Sequence, residues 1–443
     1  MKRAGLVYVV GQALVDVSLR SADNPTKLRL GGIMHAARSL WAMGVPYGLG
    51  YIAPDYLRKQ IQDYAFHHGA TVVRPVGAVS GAPNVILIED PTEAGAQGYE
   101  LLLRDEQVTE VFPREIERIA RDMKVTDVFI FPGGFDLERV LRAFRKSSAR
   151  IHIDIANGVE DTSHLAALRR RFAVISSSTS SDLFLREHAG DVLDYCSELT
   201  GYGDLILFKE NRGGARLFRG IEKDALTVPA HLRPIVHSVG IGDCYDVVFG
   251  MQRLKASDDA ALAYASYIAA EYAATTFPDD FRVAVTRALA LPPEVMTEVE
   301  GVRLPWEARP SRQIYIAAPD FDFINTQPID QVCEALSYHN FIARRPVREH
   351  GQIGTDSSAA KRAALCAADL ELMNECDLMV AILLSNDPGT LIEIGMAVER
   401  GMPVIVYDPY GQAQNLMLVE LPNLVSQSLD AVISEVFRLA AGK

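Results

Sequence analysis

The chain has 443 residues, 49% apolar and 23% charged, with a formal net charge of −13. That length exceeds one ordinary domain and supplies apolar material for two or three cores. The acidic balance excludes non-specific nucleic-acid binding, which needs a basic surface, and no segment is long and apolar enough for a membrane span.

Lys2 and Arg3 precede an apolar run that contains Gly11 and Gln12 and ends at Asp16 without a small-residue cleavage pattern. A first β-strand is expected there, not a signal peptide. From residue 5 to 290, apolar strands alternate with amphipathic helices, the pattern of a doubly wound α/β domain. Strands are expected at Leu6–Val10, Tyr47–Ile52, Asn84–Glu89, Tyr99–Leu103, Val128–Phe131, Ile151–Ile155, Val174–Ser176 and Leu205–Lys209. Helices are expected from Gly31-Gly32 to Met43, over Tyr56–His68 and over Ala260–Thr275, and a Gly-rich turn feeds a helix within Val236–Met251. The pattern breaks into Pro- and Glu-rich sequence between Leu291 and Arg312. This divides the chain into a domain at 1–292, a linker at 293–311 and a second domain at 312–443. In the second domain, strands are expected at Ile314–Ala317, Leu378–Leu384 and Val404–Tyr407, the middle one followed by a polar turn and a helix. Five cysteines (Cys196, Cys244, Cys333, Cys366, Cys376) form no CxxC pair, which suits reduced thiols in a cytoplasmic protein.

The chemically loaded stretch of the first domain is His237-Ser238-Val239-Gly240-Ile241-Gly242-Asp243. Glycines before a helix let backbone N–H groups point at an anion, and the helix N-terminus adds favourable partial charge. Asp243 either accepts a proton from a substrate hydroxyl or is an N-cap after a tight turn. The segment resembles the C-terminal signature of the ribokinase-like (PfkB) sugar and nucleoside kinases, and other pieces follow in the family order. Gly11 to Asp16 is similar to the segment whose Asp binds substrate hydroxyls. Gly31-Gly32, with Ala37 and Met43-Gly44, is similar to the di-glycine substrate motif, and Lys209 to Gly214 to the strand and turn beside the nucleotide. The resemblance implies a ribokinase-like sandwich that uses ATP and Mg2+, with Asp243 as base and Gly240, Ile241 and Gly242 as anion hole. The departures are His35 in place of the usual Asn, His237 in place of an Asp, and Thr179-Ser180-Ser181-Asp182 where an Asn-x-x-Glu motif handles metal. Asp182 is the remaining metal candidate. Weakened metal organisation hurts rate more than binding, which leaves a nucleotide sensor without catalysis as the alternative to a kinase.

In the second domain, Asp377 precedes the strand Leu378–Leu384, Asp387 lies in the turn after it, and Glu393 follows between Ile392 and Ile394. Ligands of open α/β sheets bind beyond the carboxyl ends of strands, where this turn lies. On the residues alone, Asp387 is either a helix cap or a site residue. Glu393 is either a first-turn carboxylate or an acid whose ionisation a pocket tunes. The stretch resembles the nucleoside 2-deoxyribosyltransferase family through Asp377, Asp387, Gly389 and Glu393-Ile394-Gly395-Met396-Ala397. Ile314-Tyr315-Ile316-Ala317-Ala318-Pro319-Asp320-Phe321 is similar to the family's first strand and loop, and Asn415-Leu416-Met417 to its inter-subunit motif.

That resemblance implies a smaller flavodoxin-like parallel sheet in which Glu393 is the nucleophile and Tyr315 orients it. Asp377 and Asp387 would contact and protonate the base, and Phe321 would stack on it. Asn415 would complete a neighbour's site in a homo-oligomer, at least a dimer, and no cofactor is needed. Asp16, Gly31, Gly32 and His35 are the substrate contacts expected in the first domain. Lys209 and Gly214 are its nucleotide contacts. His67-His68 suits a helix end, while His350, Arg344, Arg345 and Arg348 are read as solvated, with a substrate phosphate as the alternative for the arginines. Two functions follow: a nucleoside-metabolism enzyme that cleaves or transfers an N-glycosidic bond, or a regulated N-glycosidase that depletes a nucleotide pool.

Overall fold

A computed structural model describes residues 5–442, apart from 20–24, 82, 103–106, 169–170, 221–223 and 355–356. The chain forms two compact units, Met1–Thr92 with Gln97–Arg303, and Glu93–Ala96 with Leu304–Lys443. Both are α/β, as expected. Leu103, placed by the sequence at the end of a strand, lies outside the described residues.

The first unit holds β1 (Leu6–Ser18), β2 (Lys27–Gly32), β3 (Tyr47–Ala53), β4 (Ala70–Ser80), β5 (Val85–Ile88), β6 (Tyr99–Leu101) and β7 (Val108–Val111). It continues with β8 (Val125–Phe131), β9 (Arg150–Asp154), β10 (Val174–Ser178), β11 (Leu205–Lys209), β12 (Ala215–Arg219) and β13 (Leu226–Val228). The main sheet runs β13-β12-β11-β10-β9-β8-β1-β3-β4-β7, parallel from β11 to β4 and antiparallel toward both edges. β1 does two jobs. Its apolar first half is buried between β3 and β8, with which it pairs in parallel. Its second half leaves that sheet to pair with β2 and β5, and this small sheet carries Asp16.

The sequence reading missed β2. Gly31-Gly32 ends that strand, and the helix begins at Met34. The core lies between the main sheet and helices Met34–Ala42 and Ile241–Gln252. The Ala-rich helix Asp258–Ala273 is buried around most of its circumference, since small side chains let its neighbours approach closely.

The second unit is a five-stranded parallel sheet of β14 (Gln313–Ala317), β15 (Ile342–Arg344), β16 (Leu378–Ile382), β17 (Val404–Tyr407) and β18 (Leu424–Ser426), ordered β15-β14-β16-β17-β18. Every pair is parallel. This is the doubly wound order whose strand sequence reverses beside the first strand, opening a crevice beyond the carboxyl ends of β14 and β16. β16 is buried along its whole length, as a strand covered on both faces must be.

Candidate functional site

At the crevice of the second unit, the chain leaves β16 through Leu383-Leu384 and turns at Ser385 and Asn386, both left-handed (φ 54 and 53). Asp387 then caps helix Pro388–Glu399, its carboxylate accepting from Thr390 N at 2.8 Å and Thr390 Oγ1 at 3.0 Å. The capping alternative is therefore real, and it fixes the helix that presents Glu393. The hydroxyl of Tyr315, fully buried in β14, donates to Glu393 Oε1 at 2.7 Å.

Burial pushes the Glu393 carboxyl up to about 7, the Tyr315 hydrogen bond opposes that rise, and Asp369 and Asp387 add to it. Burial and the nearby Glu393 charge push the Tyr315 phenol far up, so it stays a donor. Asp369, on helix Ala359–Glu375, was missed by sequence reading. It pairs with His350 Nδ1 at 2.8 Å and lies within electrostatic reach of both Glu393 and Tyr315. No motif marked it, because its position depends on how that helix lies on the sheet.

Two expectations need correction, those for Asp377 and for the arginines. Asp377 sits at the amino end of β16, the opposite edge from Glu393, and its carboxylate accepts from Gln313 N at 3.0 Å. A residue before a strand and one after it are separated by the strand's length, about 3.3 Å per residue, so Asp377 does not share the site. Asn415 caps its own short helix, accepting from Met417 N at 3.0 Å, and is exposed beside the exposed Leu416 and Met417. The arginines read as solvated are engaged. Arg345 makes a bidentate pair with Asp320 (2.8 and 2.8 Å) and bonds Asp330, Arg348 also reaches Asp320, and Arg344 holds Glu349. Phe321 stacks on the largely exposed Phe323, their ring centroids 5.4 Å apart.

In the first unit the structure gathers most of the expected residues. His35 Nε2 lies 3.0 Å from Asp16 Oδ2, and its Nδ1 lies 2.6 Å from the Tyr272 hydroxyl. A Cβ on Gly31 would overlap the Asp16 carboxylate, and one on Gly240 would overlap the His35 ring. Gly240 is left-handed (φ 85) and opens helix Ile241–Gln252. Lys209 bonds Asp154 at 2.8 Å and Asp246 at 3.0 Å, with Gly242 close by. Burial works against that ammonium, but the two carboxylates hold its pKa up. Burial, reinforced by Asp154, pushes Asp243 well above the carboxylate range. Gly32 closes β2, and Gly214 (φ 109) lies in the turn between β11 and β12.

Asp182 is exposed in the first turn of helix Asp182–Glu187. Among the described residues no three His, Cys, Asp or Glu side chains converge to hold a metal ion.

Residues 314–425 match the family model described as nucleoside 2-deoxyribosyltransferase, so the second unit carries a domain of that family. Solved structures similar to the chain include ribokinase from Arabidopsis thaliana complexed with ribose and ATP (14% identity, 65% of this chain and 100% of that one, TM-score 0.46). Others are ribokinase from Giardia lamblia (14%, 65% and 99%, TM-score 0.48) and Burkholderia thailandensis nucleoside kinase in complex with inosine (14%, 64% and 97%, TM-score 0.46). No curated protein matches the chain.

Proposed function

We propose that the second unit cleaves or transfers the N-glycosidic bond of a nucleoside or nucleotide through a covalent glycosyl–Glu393 intermediate. The observation that carries this is the Tyr315–Glu393 hydrogen bond at the carboxyl edge of the sheet, inside a domain of the deoxyribosyltransferase family. Glu393 attacks C1′ as the C1′–N bond breaks, and the departing base takes a proton from an acid beside it. Asp369 and Asp387, whose charges both act on Glu393, are the candidates for that acid. Water or a second base then displaces Glu393 from C1′, giving hydrolysis or transfer. Asn415, exposed in one protomer, would complete a neighbour's site in a dimer, and this unit would need no cofactor.

For the first unit we favour sugar or nucleoside binding without efficient phosphoryl transfer, as in a regulated N-glycosidase. The specific support is the withdrawal of Lys209 into a pair of carboxylates. Incubating the protein with a panel of nucleosides and nucleotides, with and without a second free base, tests both readings. Exchanged nucleosides identify a transferase and free base plus sugar a hydrolase. Turnover only after a ligand of the first unit is added identifies the regulated enzyme. Intact substrate under every condition rejects the glycosidic reading.

A further inference from the structure

We propose that Arg38 and Tyr272 are positioning residues of the first unit, fixing the tautomer of His35 so that Asp16 is held as an acceptor for a ligand hydroxyl. The ligand's part in this rests on reading that unit as a sugar- or nucleoside-binding domain. None of it depends on the glycosidic chemistry assigned to the other unit. Four buried side chains meet here: Asp16 from β1, His35 and Arg38 from helix Met34–Ala42, and Tyr272 from helix Asp258–Ala273. They form a chain of hydrogen bonds. Arg38 Nη1 donates to the Tyr272 hydroxyl at 2.6 Å, while Arg38 Nε donates to the Tyr64 hydroxyl at 2.8 Å. The Tyr272 hydroxyl stands 2.6 Å from His35 Nδ1, and His35 Nε2 stands 3.0 Å from Asp16 Oδ2.

The donors set the direction of every bond. A guanidinium has N–H donors and no acceptor, so the Tyr272 oxygen accepts from Arg38. Burial pushes the Tyr272 phenol up to about 12, so it keeps its own proton. Among the described residues, His35 Nδ1 is the one acceptor within reach of that proton. His35 is neutral, because burial lowers it to about 4 although the Asp16 hydrogen bond opposes the fall. A neutral imidazole carries one proton, and with Nδ1 accepting, that proton is on Nε2 and points at Asp16. The other tautomer would strand the buried Tyr272 proton and set the Nε2 lone pair against a carboxylate. Both are costly in a buried network. Asp16 receives the result. Burial opposes its ionisation, but the His35 hydrogen bond, with Arg29 Nε 3.6 Å from the same Oδ2, holds the carboxyl below the usual range. No hydrogen bond from the described residues reaches Asp16 Oδ1, which leaves that oxygen for a ligand hydroxyl. Both nitrogens of His35 are engaged inside the protein, so His35 acts on a ligand through Asp16, and Arg38 acts through Tyr272 and His35.

Nuclear magnetic resonance of the full chain with isotope-labelled histidine nitrogens tests the tautomer, the His35 signals being assigned by their absence in His35→Asn. The expected result at neutral pH is an unprotonated Nδ1 and a protonated Nε2. In Tyr272→Phe and in Arg38→Met that preference should be lost, and calorimetric affinity for ribose and for inosine should fall at least tenfold. An Nδ1–H tautomer or an imidazolium in the unsubstituted protein overturns the proposal, and this measurement decides even if neither variant folds. So does an Nε2–H tautomer that persists in both folded variants, or an unchanged affinity for both probes. Binding of neither probe by the unsubstituted protein overturns the ligand role together with the reading of the unit on which it rests. The Glu393 assay is untouched by any of these outcomes.

Discussion

The Tyr315 hydroxyl and the Glu393 carboxylate meet at 2.7 Å, one delivered by β14 and the other by the helix after the neighbouring strand β16. Neither residue is near the other in sequence, and only the parallel pairing of the two strands brings them together. The contact would hold the proposed nucleophile in a fixed orientation. The same apolar surroundings that bury the phenol keep the carboxylate poorly solvated and therefore reactive.

Glu393→Gln keeps the shape of the side chain and removes its nucleophilicity. It is expected to lower glycosidic turnover by about a thousandfold or more, with the far-ultraviolet circular dichroism spectrum unchanged. Tyr315→Phe removes one donor and is expected to cost roughly ten- to a hundredfold in turnover, because the carboxylate remains. Full activity in Glu393→Gln would end the assignment.

The pH profile is a second check. Glu393 must be ionised to attack, and its carboxyl is raised from 4.5 to about 7. The rate of the covalent step should therefore climb with pH through about 7. The Tyr315 hydrogen bond opposes the rise, so Tyr315→Phe should move the midpoint to higher pH. The stability linkage has a definite sign. An acid with a raised folded-state pKa contributes stability that is fully present below its unfolded value and lost as pH rises through the folded value. Between pH 4.5 and about 7 the native protein should lose stability relative to Glu393→Gln, as measured by denaturant titration. A profile and a stability difference flat across that window would contradict the local electrostatics.

Much of this was legible in the sequence. The apolar run before Asp387 and the Glu-Ile-Gly that follows place β16, its turn and Glu393 without any structure, and Leu205–Lys209 and Val404–Tyr407 were read with their observed bounds. What could not be read depends on tertiary placement. Asp369 lies on a helix with no local mark. Asp377 was expected in the site through the family resemblance, although the length of β16 separates it from Glu393 in space. β2 was hidden because Gly31-Gly32 reads equally well as the start of a helix or the end of a strand. Arg29, on that strand, carried no expectation at all.

Asp377→Asn and Asp369→Asn should separate cleanly. The first weakens a hydrogen bond at the amino edge of the sheet and is expected to cost about 1 kcal/mol of stability with glycosidic activity retained. The second alters a charge that acts on Glu393 and is expected to lower activity and shift the pH profile to lower pH, since Asp369 raises the Glu393 pKa. Measuring turnover against pH beside denaturant midpoints for both variants checks this. Equal effects of the two on activity would count against the placement of Asp377.

The buried Lys209 offers a test inside the first unit. Its ammonium is shared by Asp154 and Asp246, and burial with a neighbouring carboxylate pushes Asp246 well above the usual range. Lys209→Met would leave two buried acids facing each other without a cation. Breaking a buried ion pair from one side typically costs about 3–5 kcal/mol, so the variant should unfold at markedly lower denaturant concentration. Asp246→Asn should do far less harm, because Asp154 alone still pairs the ammonium at 2.8 Å. If phosphate handling in this unit depended on a free Lys209, Asp246→Asn would release it and strengthen nucleotide binding. With the ammonium held by Asp154, binding measured by calorimetry should change less than about threefold, a difference below 1 kcal/mol. A large gain in affinity would show that the carboxylates had been restraining a nucleotide-binding lysine.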